Sequence, residues 1–107
     1  MSLFRNGVGE KAEAVLRGTS IGEITIRYFV PSASQILDMD VHTAQGGSYG
    51  EAAIELLASS LISWSLDKPI GDTEEERTKT LQSLRSQEVL FALIAEVRGA
   101  GESEVKN

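Results

Sequence analysis

The sequence contains no cysteine, one histidine and two prolines in 107 residues. Without cysteine there is neither a disulfide framework nor a thiolate zinc site, which fits a reducing compartment. With His42 as the lone imidazole, a transition-metal site would have to rest on carboxylates alone, a poor donor set for such ions. Basic residues are also few. Ten Lys and Arg face sixteen Asp and Glu, a net charge of −6, and no Lys/Arg cluster offers the basic face that a nucleic-acid partner needs. Long apolar runs are missing too. The most apolar region, Ala52–Leu66, is broken by Glu55 and several serines and is too short and polar to span a bilayer, so no membrane partner is expected. Met1–Gly9 lacks the apolar core of a signal peptide, and a soluble, cytosolic protein is expected.

The patterns that are present describe one α+β domain over residues 10–99, between a flexible arm (1–9) and a polar tail (100–107). Ile24, Ile26, Tyr28 and Val30 alternate with Thr25, Arg27 and Phe29, a period-two strand that Pro31 ends. Residues 10–17 fit two readings. Ala12, Ala14 and Leu16 alternate with charged neighbours, as in a hairpin partner across Gly18–Gly22, yet Glu, Lys, Ala and Leu also favour a short helix. The hairpin is the preferred reading, because the second strand needs a partner for its backbone groups.

Helices follow. Ser32 and Gln35 have capping-box spacing before a short helix to Asp40, and 42–50 (HTAQGGSYG) reads as a loop. Gly50–Leu66 is expected as one helix about 25 Å long, with Ile54, Leu57, Ala58 and Leu61 on its core face and Ile62 and Trp64 beside them. Thr73 and Glu76 form a second capping box for a helix from Glu74 to about Leu84. The last helix, Gln87–Arg98, carries Val89, Leu90, Leu93, Ile94 and Val97 in one stripe and is expected to stop at Gly99. The expected core includes Ile26, Tyr28, Leu57, Leu61, Leu90 and Leu93.

Chemistry is hard to place on this frame. The stretch WSLDKPIGDTEEERTKTL (64–81) is rich in carboxylates, but a calcium loop counted from Asp67 meets Pro69 and Gly71 where ligands are required. Each unusual residue there has a local task in ending one element or starting the next, so the stretch reads as a joint between helices. No G-x-S-x-G elbow, P-loop lysine or dinucleotide fingerprint accompanies the serines and glycines. No cofactor is expected, and an enzyme is the least supported class. The informative residues are apolar or small ones outside the core stripes. Ala52, Leu56, Ser59 and Ser63 form a strip on the back of the long helix that would let another helix approach closely, and Trp64, beside the core face, joins them as a candidate. Phe91 lies off the last helix's stripe. These residues are candidates for binding a partner or a second copy, and a homo-oligomer is expected.

The order of parts in SIGEITIRYFVPSASQILDM (20–39) and in EAAIELLASSLISWSLDKPIGDTEEERTKTLQSLRSQEVLFALIAEV (51–97) resembles that of phage tail assembly chaperones. Asp67, Pro69 and Gly71 match the turn after that family's long helix, Leu81 and Leu84 its next helix, and Val89–Val97 its last. Residues 1–17 carry nothing distinctive of the family. The resemblance implies a non-catalytic protein of the host cell cytoplasm, absent from the mature virion. Such a protein binds the tape-measure protein, keeps it soluble and helps recruit tail-tube protein around it. A competing expectation is an adaptor, such as a head–tail joining component that stays in the particle.

Overall fold

Strand β1 (Lys11–Thr19) and strand β2 (Gly22–Phe29) form the expected hairpin in the computed structural model, which describes residues 10–106. Leu16 faces Ile24, Ala14 faces Ile26 and Ala12 faces Tyr28. Ile24, Ile26, Tyr28 and Val30 are all buried, as the alternation predicts. Gly18 and Gly22 take positive φ (79° and 92°) at the turn, a conformation open to glycine at no steric cost. The expected arm at 1–9 lies outside the described residues.

Helix α1 (Ala33–Ala44) starts at the Ser32 box. The Ser32 hydroxyl accepts from the Gln35 N–H, and the Gln35 side chain accepts from the Ser32 N–H. The helix runs past Asp40 into the expected loop and stops before Gly46, whose φ is 89°.

Helix α2 (Tyr49–Ser60) is shorter than its apolar pattern suggests. At Leu61 the backbone turns extended (φ −68°, ψ 137°), and Leu61–Trp64 becomes a third strand, β3, with no intervening loop. Strand β3 pairs antiparallel with β2, completing a sheet of order β1-β2-β3. A long helix was expected because Leu61, Ile62 and Trp64 continue an apolar run that serves either period. Two effects favour the strand: these side chains suit a pleated surface, and the second edge of β2 has backbone groups to satisfy. Ser65 extends the seam, its N–H donating to Thr25 O (3.0 Å) and its hydroxyl accepting from the Thr25 N–H (3.0 Å). The carbonyl of Ala58, near the end of α2, accepts from Arg77 Nε at 2.6 Å, a cation where the helix dipole favours one.

Residues 64–81 are indeed a joint, though between a strand and a helix. Trp64 Nε1 donates to the Lys68 carbonyl (2.6 Å), Ile70 is buried, and Gly71 turns at φ 112°. Thr73 caps helix α3 (Glu74–Gln82) by accepting from the Glu76 N–H, while the Glu76 carboxylate accepts from the Asp72 N–H.

Helix α4 (Gln87–Lys106) does not stop at Gly99, and the expected polar tail is helical to Lys106. Gly101 explains the continuation. It is buried, and a Cβ there would stand 2.7 Å from Ile36 Cδ1 and 2.8 Å from the Pro31 carbonyl oxygen, so the bare backbone lets α4 lie against the start of α1. Arg98 locks the same contact. Its guanidinium meets Asp40 with two bonds (2.8 and 3.1 Å) and also reaches Glu102, and both carboxylates hold it well above the ordinary arginine range.

The core lies between the inner face of the sheet and the helices. Helix α4 packs on β1 and α2, while α1 and α3 also pack on α2. Leu57, Leu61, Leu93, Ile94 and Val97 are almost wholly enclosed, whereas Leu90, expected there, is half-buried. Tyr28 is buried with them. Burial first, and the nearby Glu96 carboxylate second, push its phenol above the usual range. Its neutral form therefore stabilises the fold fully below about pH 10, the ordinary phenol pKa, and that contribution is lost as pH rises through the raised value. The melting temperature of the native chain is expected to fall more steeply between pH 9 and pH 11 than that of Tyr28→Phe. Parallel thermal melts across that range would show it.

Candidate interaction surface

The candidate binding residues do not form one strip. Ala52, Leu56 and Ser59 do share a face of α2, but Ser63 and Trp64 belong to β3 and Phe91 to α4. Ser63 stands opposite Arg27 and Trp64 opposite Ile26, so the two point to opposite faces of the sheet. Trp64 packs half-buried against the core.

The helix that approaches the small-residue face is the chain's own α1. Ala52 and Leu56 are buried, and Gln35 Nε2 reaches Ser59 Oγ at 3.5 Å. Between the two helices remains a groove of about 450 Å³, floored by Met39, Ala52 and Leu56 and bordered by the exposed carboxylates of Asp38, Glu55 and Glu74. The surplus of apolar and small residues on α2 is thus used inside the fold, against α1, α3 and α4.

His42 also borders this groove. Its Nε2 has no hydrogen-bond partner and stands 4.0 Å from Glu51 Oε2, beyond bonding distance. The backbone of Gly47 lies directly against the ring, leaving no room for a side chain. No hydroxyl engages Nε2, so the nucleophile–base contact of a triad is not formed among the described residues. Nor do the described residues hold a cluster of three or more His, Asp or Glu able to grip a metal ion. No helix of the described residues is long and apolar enough to cross a membrane.

Phe91 is different. It is 45% exposed and lies beside Tyr49, itself 41% exposed, with ring centroids 5.9 Å apart and planes tilted by 46°. One ring comes from the first turn of α2 and the other from α4, so a solvent-facing aromatic pair spans two packed helices. Phe91 was legible as a residue off the core stripe. Tyr49 was not, because it falls in a stretch that reads as loop. Comparison with models of known families, with curated proteins and with solved structures finds no match to this chain.

Proposed function

We propose that this chain is a non-catalytic, protein-binding assembly factor of the phage tail chaperone kind, acting in the host cell cytoplasm on the tape-measure protein and, through it, on tail-tube subunits. The Tyr49–Phe91 pair carries the binding part of this reading: two neighbouring aromatic rings left in water on rigid helices suit an apolar stripe on a helical client. The order of strand, helix, helix, Asp-Pro-Gly turn and final helices supports the family part as a resemblance in sequence character, with strand β3 standing where the resemblance implies the end of a long helix.

Co-expression with the tape-measure protein tests the reading. The native chain is expected to keep that client soluble and to co-purify with it. Phe91→Glu, which places a charge at an exposed ring without touching the core, is expected to reduce recovery of the complex at least about tenfold, the scale of losing one aromatic anchor. A client equally soluble without the chain would overturn the proposal. Peptides of the chain in purified virions would favour the adaptor that remains in the particle.

A further inference from the structure

We infer that β1 is a self-pairing edge through which two copies of the chain join, antiparallel and with Val15 opposite Val15, into one continuous sheet. The backbone directions come first. Val30 N–H donates to Glu10 O (2.9 Å) while Lys11 stands opposite Phe29, so Lys11–Phe29 is a non-hydrogen-bonded pair of the β1–β2 ladder. Alternation then directs the backbone groups of Ala12, Ala14 and Leu16 toward β2. Those of Lys11, Glu13 and Val15 point away from it, off the sheet, and Arg17 follows them where the register begins to shift. Strand β1 ends the strand order, and no backbone hydrogen bond from another described element reaches that edge.

Long open edges are commonly blunted by proline, by a bulge or by charged side chains. From Lys11 to Leu16 this strand has no proline and pairs without irregularity, the register shifting only between Leu16 and Thr19. Its charges, on Lys11, Glu13 and Arg17, oppose pairing with an arbitrary strand, but they are of mixed sign and their order is self-complementary. Val15 is the midpoint of Lys11–Thr19, so the register that overlaps the whole strand with itself is centred there. In that register Glu13 of each copy faces Arg17 of the other, on either side of a Val15–Val15 pair. The neighbouring registers lack this match. Centring on Ala14 sets Lys11 against Arg17, centring on Glu13 sets that carboxylate against itself, and centring on Leu16 opposes no charges of unlike sign.

The backbone parity is compatible with this register, and the charges select it from its neighbours. Because the Val15 backbone points outward, the central pair is of the hydrogen-bonded kind, and continuing the alternation to Arg17 makes Glu13–Arg17 one too. Val15, 42% exposed in one copy, would be covered by its twin. Arg17 already reaches Glu23 of its own β2 at 3.1 Å, so in the joined sheet it would sit between two carboxylates, one from each copy. This inference does not rest on the identity of any client.

Charge reversal in the full chain tests it. The native chain is expected to sediment as a dimer at about 100 µM, well above the micromolar range of modest interfaces. Glu13→Arg puts Arg against Arg at both flanks, and Arg17→Glu puts Glu against Glu. Each variant alone is expected to dissociate at least about tenfold more readily, because two opposed pairs become two like pairs. Mixed in equal amounts they are expected to form a dimer containing one of each, since that combination alone restores both unlike pairs. Circular dichroism matching the native chain confirms that each variant folds. A monomeric native chain, single variants that dimerise as the native does, or a mixture that stays monomeric would each overturn the inference.

Discussion

Replacing Leu61 with alanine is expected to destabilise the fold by about 2–5 kcal/mol, the range for deleting most of an enclosed leucine. Leu61 is 2% exposed and sits where α2 hands over to β3. Its side chain packs in the core, its N–H still donates to the Leu57 carbonyl, and its position opposite Tyr28 begins the β2–β3 pairing. The void therefore opens at a point where helix and sheet meet, and neither can collapse into it without disturbing the other. Urea titration followed by tryptophan emission and by circular dichroism would read the loss. Trp64 lies three residues away on the same strand, so both probes should shift together. A loss below about 1 kcal/mol would mean that the site collapses readily, contrary to its enclosure.

The second large effect concerns two glycines in the same helix, with opposite signs. Both Gly99 and Gly101 lie inside α4, where glycine costs up to about 1 kcal/mol relative to alanine. Gly99 is exposed, and a Cβ there would meet nothing within 4 Å. Gly99→Ala is therefore expected to stabilise the fold by about 0.5–1 kcal/mol. Gly101 is buried, and the first atom of any side chain would press on the Pro31 carbonyl and ring as well as on Ile36. Gly101→Leu is expected to cost about 1–3 kcal/mol by overpacking, and to separate the end of α4 from α1. Loss of protection from hydrogen exchange in α4 beyond Arg98 would localise the damage. Equal effects of the two substitutions would refute the contact that distinguishes them.

The same glycines show where reading the sequence stops short. A helix ending at Gly99 is sound local reasoning, because glycine is the usual residue just past a helix end. Here the tertiary contact at Gly101 and the Arg98–Asp40–Glu102 cluster outweigh it, and neither is visible in spacing alone. The hairpin, the Ser32 box and the Thr73 cap were legible because each depends on residues close in the chain. Strand β3 was not. Leu61–Trp64 is short, carries no turn before it, and prolongs an apolar run whose period cannot be told from so few residues. Missing it also moved the binding surface: Ser63 was assigned to a helix face that ends before it, and the groove opposite Ala52 and Leu56 proved to be lined by α1. The exposure of Phe91 is legible because a helical stripe of Val89, Leu90, Leu93, Ile94 and Val97 defines what lies outside it.

The placement of β2 in the middle of the sheet bears on how the chain meets the ribosome and its crowded surroundings. Both neighbours of β2 are needed to close it, and one of them arrives only with Leu61–Trp64. While the nascent chain is shorter than that, the hairpin has emerged with its most apolar strand open along one side, a template for pairing with other unfinished chains. The immediate switch from α2 into β3 shortens that window, since no connecting segment has to be synthesised between the helix and the strand that seals the sheet. A chain released early, between Ser60 and Trp64, would carry a complete helix and an unsealed sheet. Such a product is expected to aggregate through that open strand.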